Sequence, residues 1–532
     1  MALDVTGSTN SPNTPNIKTL IGKNYDLKLT QSIQNLLSEI PKQSPKLSDF
    51  TEEFYELMQA RVDPPLESTW VYAALAFRSR NHPKDDPLDR VSAAEDLFQL
   101  LSMCSASCGS SKSVALLAPV VCQVYNACVD LFKRDLSLKR EKKVMRKVRD
   151  FVGTILGYIN LCSFEDSGES DSLIMPFSGL IRVWMNSNEG LESFLPLVSS
   201  DIFGGLSEGE CDVNYLAGVV IAEVFLLKLC LDSKVGTSGK ELEKELSTWA
   251  IGSITKFGNC YLFDVLLRIL LEKTLPFTSL LSSEGEVLLR KVLYDAIVLV
   301  EYSFLNPEPE RAIYVPAELM KSIAMERLIV AHEAVEYFRE NGDQRRTVSY
   351  VTAFSGSQLP SQIIKWVKKQ IYVDDGAIKS VGTSPKALIK WLLNLEDRGL
   401  KLFDDSIAKF RTKLALDISK SDSLRPASNL EEQKVDDDLL FYIDNKGEDE
   451  HRDEEDEKVN ASIAATHTMS SSEKRGRKRK GKKAEKKEKI KFVKYDLRPK
   501  ADSADGRPSL INNDSINSGS EAENPPSDED TD

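Results

Sequence analysis

Residues 139–160 read KREKKVMRKVRDFVGTILGYIN. Apolar side chains recur in this stretch at three- and four-residue spacing, so they fall on one face of an α-helix. They are Val144, Val148, Phe151, Ile155 and Ile159. Basic side chains occupy the remaining faces. The stretch therefore predicts an amphipathic helix with one buried side and one solvent-facing, cationic side.

The same helical period recurs along residues 26–420, where clusters of Pro, Gly, Ser or Asp interrupt it at intervals. Alternating runs of polar and β-branched residues, which indicate strands, are nearly absent. The sequence therefore predicts an all-α fold. The segments that show the helical period most clearly are 88–103, 111–132, 215–231, 240–255, 259–272, 286–304, 317–338, 384–396 and 400–415.

Local signals for helix ends agree with this prediction. Asp86-Pro87 precedes one helical segment, Ser283 with Glu286 three residues later opens another, and Asn341-Gly342 closes a third. Segments 215–231 and 259–272 are apolar around most of their circumference, so we expect each to be packed on more than one side.

Fifteen or more helices in series, joined by short loops, are easier to arrange as stacked hairpins than as one bundle. In architecture, residues 26–420 resemble an armadillo- or HEAT-like α-solenoid of irregular repeats. At roughly 40–47 residues a repeat, the region would hold about nine units. The resemblance rests on helix order and not on a repeat motif, and an irregular helical domain is the alternative.

The composition indicates the kind of cellular compartment in which the protein resides. The chain has 532 residues, of which 41% are hydrophobic, and this content is adequate for a packed core. Its eight cysteines lie mostly among aliphatic residues, as expected of reduced thiols in a reducing compartment. The most apolar stretches, 114–132 and 215–231, are interrupted by polar residues, so we predict buried helices and no membrane partner.

The two ends of the chain differ from its middle. Residues 1–25 are rich in Ser, Thr, Asn and Pro, and they predict a disordered leader. Residues 421–532 separate into an acidic block (431–458), a basic block (474–500) and a second acidic block (501–532). Segregated charge with few apolar residues predicts a disordered interaction tail.

The basic block predicts nuclear import. Within residues 474–489, eleven of sixteen side chains are cationic, in two clusters of the kind that import receptors bind in bipartite signals. The predicted signal consists of Lys474, Arg475, Arg477, Lys478, Arg479, Lys480, Lys486, Lys487 and Lys489. The expected localisation is the nucleus or nucleolus.

The same block could also bind the phosphates of DNA or RNA by counterion release, with little sequence preference. The residues proposed for this contact are Arg475, Arg477, Lys478, Arg479, Lys480, Lys482, Lys483, Phe492 and Tyr495. Arg475-Gly-Arg477 resembles the core of an AT-hook, but Lys478 stands where the hook has proline, which argues against specific A·T reading.

Two apolar clusters in the tail are candidate docking peptides or segments that pack back on the helical domain. One is Leu439–Ile443, set among acids from Asp436 to Asp444, and the other lies within 490–498. Ser518, Ser520 and Ser527 each have an acidic residue three positions later, which predicts phosphorylation by acid-directed kinases.

A second basic surface lies on the polar side of the 139–160 helix. It consists of Lys139, Arg140, Lys142, Lys143, Arg146, Lys147 and Arg149. Three interpretations remain open: a solvated face that balances nearby acids, a surface for an acidic peptide such as this protein's own tail, and a phosphate contact.

No motif predicts catalysis, a metal or a cofactor. His332-Glu333 begins like a zinc-protease helix, but Glu336 stands at the second histidine position, so a surface or capping histidine is expected. Cys104 and Cys108 lack further ligands at metal-binding spacing. The loop 236–240 lacks the spacing of a phosphate-binding loop.

We therefore expect a nuclear scaffold rather than an enzyme. In this hypothesis the helical domain binds protein partners and the tail supplies import and non-specific contact with chromatin or RNA. Two alternatives remain. One is a nucleolar or chromatin-associated assembly factor whose tail binds nucleic acid, and the other is a transport adaptor.

Overall fold

The computed structural model describes residues 23–42, 46–78, 86–105, 109–133, 137–162, 173–177, 179–180, 194–198, 213–235, 239–258, 260–272, 280–305, 317–371, 382–403 and 414–415. The predicted tail (421–532), with its three charge blocks, and nearly all of the predicted leader lie outside these residues.

Within the described residues the chain forms fifteen α-helices with defined ends, further helical residues at 175–177, 179–180 and 414–415, and no strand, which confirms the all-α prediction. In chain order they are α1 (Lys23–Glu39), α2 (Leu47–Gln59), α3 (Leu66–Arg78), α4 (Pro87–Cys104), α5 (Ser110–Ala115), α6 (Ala118–Lys133), α7 (Leu138–Leu161), α8 (Val213–Val235), α9 (Gly239–Phe257), α10 (Cys260–Leu271), α11 (Ser283–Val298), α12 (Ala317–Glu340), α13 (Gln344–Gly356), α14 (Leu359–Ile371) and α15 (Pro385–Asp397). A short 3-10 turn, Ser303–Leu305, follows α11.

The helices pack mainly on neighbours that are close in the chain. α1 packs on α2, α2 on α3, α3 on α4, and α4 on both α6 and α7. Further along, α8 contacts α5, α6, α7, α10 and α11, α10 contacts α12, and α12 contacts α13, α14 and α15. The buried apolar residues form one continuous core that runs through these contacts.

Helix α8 is the most deeply embedded element. Almost every residue from Tyr215 to Leu231 is buried, as the sequence predicts for a helix that is apolar on all sides. Gly218 allows α10 to approach closely, because a Cβ atom at this position would stand 3.0 Å from the backbone nitrogen of Leu262. Helix α10 is likewise apolar on most sides and packs between α8 and α12.

Several predicted boundaries are wrong. The predicted helix 111–132 is broken by a turn at 116–117 into α5 and α6, and the predicted helix 286–304 ends at Val298. Residues 400–403 are not helical, because Gly399 adopts φ +95° after α15 and its N–H bonds back to the carbonyl of Glu396 at 2.8 Å. Five helices, α1, α2, α3, α13 and α14, are missing from the segments singled out in the sequence.

The folded region also starts earlier than expected. Helix α1 begins at Lys23, within the predicted leader 1–25, because Tyr25 is fully buried and its hydroxyl donates to the carbonyl of Leu57 at 2.9 Å. Residues 1–22 of the leader lie outside the described residues.

The predicted helix ends are close to those observed. Ser282, one residue before the predicted Ser283, caps α11 and accepts the backbone N–H of Gly285 at 3.2 Å. Gly342 adopts φ +76° after α12, and its N–H bonds to the carbonyl of Arg339 at 3.1 Å, as the Asn341-Gly342 pair predicts.

Candidate acidic-partner surface

The seven predicted cations of the 139–160 segment all lie on α7. This helix forms because its apolar residues line one face, and that face is buried against α4, α6 and α8. The cations then occupy the sides and the outer surface of the helix. Their fractional exposure and their ion pairs divide them into two groups.

Three of the seven cations form ion pairs with acids on other helices or at their starts. Arg140 pairs with Asp86, which precedes α4. Lys147 contacts Glu95 at 3.0 Å, and Arg149 contacts Asp232 of α8 at 2.8 Å. These three side chains hold α7 against α4 and α8, so for them the interpretation as charges balanced by nearby acids fits the geometry.

The other four cations are exposed and have no ion-pair partner within the part of the chain that the structure describes. Their spacing of three and four residues puts them on one side of the helix. We call this set the cationic face, and it consists of Lys139, Lys142, Lys143 and Arg146. It extends over about 10 Å of helix.

Clustering of these four charges opposes helix stability. Each like-charged pair at three- or four-residue spacing costs about 0.2–0.5 kcal/mol at low salt. Lys139 also lies in the first turn of α7, where the helix dipole disfavours positive charge. Ser137 precedes this helix without a side-chain cap hydrogen bond. A bound anionic partner would relieve all of these unfavourable terms together.

A groove lies beside the same helix, between α7, α8 and α9. Its volume is about 630 Å³, and Asn160, Lys228, Lys244, Trp249, Gly252 and Lys256 are among its lining residues. We call it the α9 groove. It could not be predicted from the sequence, because it forms only where α7 packs beside α8 and α9, which lie more than 50 residues further along the chain. A smaller cavity of about 170 Å³ lies nearby, beside Arg149 and Asp232.

Glu223 is the most deeply buried acid of α8. Its Oε1 atom accepts the backbone N–H groups of Leu197 and Val198 at 2.8 and 2.9 Å. Burial raises the pKa of Glu223 to about 8, although the two N–H groups favour the carboxylate. The group is therefore mainly protonated at neutral pH, and it serves as an anchor for the backbone of the 194–198 segment.

A second acidic group is buried between α10 and α12. Asp264 is fully buried and pairs with Arg268 at 3.0 Å, one turn further along α10. Desolvation raises the pKa of Asp264, and Arg268 opposes that shift. The side chain of Glu326 from α12 is 3% exposed and reaches the same site. The arrangement is an intramolecular charge network within the core.

His332 of α12 is buried, at 3% exposure, so its predicted place at the surface is wrong. The reason is that α12 is covered on several sides by α10, α13 and α15. Among the described residues no group of three or more His, Cys, Asp or Glu side chains has the arrangement of a metal site. Cys108 and the 236–238 loop lie outside those residues.

The described cysteines are free thiols, and Cys122, Cys128, Cys230 and Cys260 are buried. Burial raises the pKa of Cys122 to about 12, so this thiol stays protonated and behaves as an apolar group. One stretch, Ser110–Lys133, has the length and hydropathy of a membrane span. Most of it is buried by other helices, as predicted for 114–132.

The remaining predicted sites lie beyond the described ranges. These are the import signal within 474–489, the nucleic-acid contact residues as far as Tyr495, the apolar clusters at 439–443 and 490–498, and Ser518, Ser520 and Ser527. They stay predictions from the sequence.

Comparison of the chain with protein-family models, with curated proteins and with solved structures finds no match. The described fold defines an all-α protein of packed helices.

Proposed function

We propose that this protein is a nuclear, non-catalytic scaffold whose helical domain binds acidic protein partners. The observation that carries the proposal is the cationic face, where four exposed cations on two turns of α7 have no ion-pair partner in the described ranges. Three neighbouring cations of the same helix are already paired, so these four are the charges left for a partner.

Recognition at this face would be electrostatic. An acidic segment that lies along α7 would place carboxylates opposite lysines about one helical turn apart. Complementary charge mainly accelerates association and suppresses wrong partners, and its effect falls as salt screens it. A scaffold that holds partners reversibly needs this kind of contact.

We further propose that the helices stack in the manner of an armadillo- or HEAT-like solenoid. The serial packing of α1 to α4, and the packing of α8 on α10 and of α10 on α12, support this arrangement, although α8 also packs on the distant helix α5. Such a stack presents extended surfaces, which suits a protein that assembles others. Import is assigned to the two basic clusters of 474–489.

An assembly factor that binds nucleic acid is the second candidate. The composition of residues 474–500, with fifteen bases and three acids, favours it. In that case the tail would bind the nucleic acid, and the helical domain would have an accessory role. The transport adaptor stays a prediction, and it requires the protein to shuttle between compartments.

Cell experiments on the full chain separate these functions. Replacing the nine import residues by glutamine should abolish nuclear accumulation, and a foreign import signal should restore it. If the protein is a scaffold, it should recruit its protein partners again once import is restored, and ribonuclease should not release those partners. Nuclear retention that stays lost after import is restored, or that ribonuclease removes, would instead identify the assembly factor.

A further inference from the structure

The α9 groove has the properties of a peptide-binding site. Its volume of about 630 Å³ lies within the range of ligand sites, which is about 300–1,000 Å³. The exposed wall is mainly apolar although many lining residues are charged, because lysine stems cover apolar surface while their ammonium groups reach solvent. A site of this kind accepts apolar side chains flanked by charge.

Trp249 lies in the wall of the groove. Its ring stacks on Phe225 of α8, with ring centroids 4.8 Å apart and planes within 6° of parallel. Its buried indole Nε1 has no hydrogen-bond acceptor among the described residues. Because that nitrogen is itself buried, the exposed part of Trp249 in the groove is the remaining edge of the ring. The ring therefore offers an apolar surface on which the side chains of a bound peptide can pack.

Gly252 is a second sign of a binding surface. It lines the groove in the interior of α9, where glycine destabilises a helix by about 0.5–1 kcal/mol relative to alanine. A Cβ atom there would meet nothing within 4 Å, so packing among the described residues does not require glycine. The missing side chain leaves space for another chain to approach the helix.

Two lysines at the rim can attract an acidic occupant, although Glu241 and Glu245 also line the groove and Glu245 pairs with Lys228. Lys244 and Lys256 are exposed and have no ion-pair partner in the described part of the protein, and both line the groove. They are twelve residues apart on α9, or about 18 Å along the helix. Lys228, deeper in the groove, is already paired with Asp232 and Glu245.

We propose that the α9 groove binds residues 436–444 of this same chain. Their sequence, DDDLLFYID, places five apolar residues between Asp438 and Asp444. In an extended conformation these two acids are about 20 Å apart, which matches the separation of Lys244 and Lys256. The apolar residues then cover Trp249 and Gly252.

The chain is long enough for this contact. Twenty residues lie between Ala415, the last described residue, and Asp436, and an extended connection of that length spans about 70 Å. The bound segment would cover the groove of the helical domain. This inference goes beyond the scaffold proposal, since it holds in any compartment and with any external partner.

Hydrogen exchange of the full-length protein tests the proposal. We expect the backbone amides of 438–444 to exchange about tenfold or more slowly relative to an unstructured chain. Gly252→Leu should fill the groove and remove this protection while leaving the helix intact. The matched control, Gly356→Leu, also changes a helical glycine with open space around its Cβ, and it should leave the protection unchanged.

A charge exchange provides the second arm. Lys244→Glu with Lys256→Glu should remove the protection, and adding Asp438→Lys with Asp444→Lys should restore it. The charge-exchange variants still test whether residues 436–444 bind in the α9 groove if Gly252→Leu does not fold. Full exchange of 438–444 in the wild type, or protection that survives Gly252→Leu, would overturn the proposal. Protection that disappears on dilution would identify a second copy as the occupant and overturn it as well.

Discussion

The Oε1 atom of Glu223 accepts the backbone N–H of Leu197 at 2.8 Å, which joins the central helix α8 to a segment 26 residues earlier in the chain. An ionisable group is rarely placed in so apolar a helix unless it has a defined partner. The same oxygen also accepts the N–H of Val198, so one side chain satisfies two buried donors.

This buried acid predicts a pH dependence of stability. Burial raises the pKa of Glu223 from 4.5 to about 8, so between these values the folded protein holds a proton that the unfolded chain releases. The contribution to stability is therefore complete below pH 4.5 and is lost as the pH rises to 8, at about 1.4 kcal/mol for each pH unit.

Glu223→Gln separates this effect from other titrations, since glutamine keeps an oxygen acceptor for Leu197 and Val198 but does not ionise. Urea unfolding at pH values of about 5, 6.5 and 8 should show the wild type losing stability relative to the variant as the pH rises. A difference between the two proteins that stays constant with pH would contradict the assignment.

A methyl group at residue 218 should destabilise the fold. In Gly218→Ala the new Cβ would stand 3.0 Å from the backbone nitrogen of Leu262, so α8 and α10 must separate. We expect a loss of about 1–3 kcal/mol in the free energy of unfolding. Gly153→Ala is the control, because its Cβ meets nothing within 4 Å, and it should stabilise α7 by about 0.5–1 kcal/mol. Equal effects of the two changes would refute the close approach.

Arg346 should couple three helices. From α13 it contacts Glu243 of α9 at 2.9 Å and Asp295 of α11 at 3.4 Å. Burial raises the pKa of Asp295 and Arg346 opposes the shift, so Arg346→Met should leave that carboxyl without its cation and cost about 2–3 kcal/mol.

The surface pair of Lys42 and Glu39 serves as the comparison for Arg346. Lys42 is 60% exposed, so Lys42→Met should cost about 0–1 kcal/mol in the same thermal or urea unfolding measurement. Similar losses for the two variants would show that the three-helix network adds nothing beyond a surface ion pair.

Neutralising the cationic face should stabilise the isolated protein. Lys142→Gln removes like-charge repulsion at the start of α7, so we expect a gain of about 0.2–1 kcal/mol that shrinks as salt is added. Lys147→Gln should give no gain, since Lys147 contacts Glu95 and the hydroxyl of Ser92. A loss of stability in Lys142→Gln would show that this charge has a partner within the fold.

The sequence predicted what depends on local pattern. The uniform apolar character of 215–231 indicated a helix buried on all sides, and Asn341-Gly342 marked the end of α12, because both signals act within a few residues. Helix α13 was missed although Thr347, Tyr350, Val351 and Phe354 are all buried on one face. Its polar and β-branched residues weaken the apolar period that guided the prediction.

The division of charges on α7 was not visible in the sequence. Asp86 is 54 residues from Arg140, and Asp232 is 83 residues from Arg149, so only the packed fold shows which cations are paired. The α9 groove was hidden for the same reason, because its walls combine Asn160, Lys228 and Trp249 from three helices. Surfaces of this kind depend on contacts between distant segments.

The cationic face should bind acidic partners, and a titration measures this binding directly. A fluorescent peptide of about twelve glutamates is added, at about 50 mM salt, to the protein whose nine import residues are glutamine, so that the basic block of the tail does not compete for the peptide. The two variants that are compared are both made in this background. The variant in which Lys139, Lys142, Lys143 and Arg146 are all glutamine is compared with a control in which four exposed cations on α6, α13 and α14 are changed. The control residues are Lys133, Arg345, Lys365 and Lys369.

Both variants lose the same charge, so only the position of the lost cations differs between them. We predict that the first variant binds the peptide about tenfold or more weakly, and that the control changes affinity by less than about twofold. Equal weakening of the two would contradict the claim, because the protein would then respond to net charge and not to this face of α7.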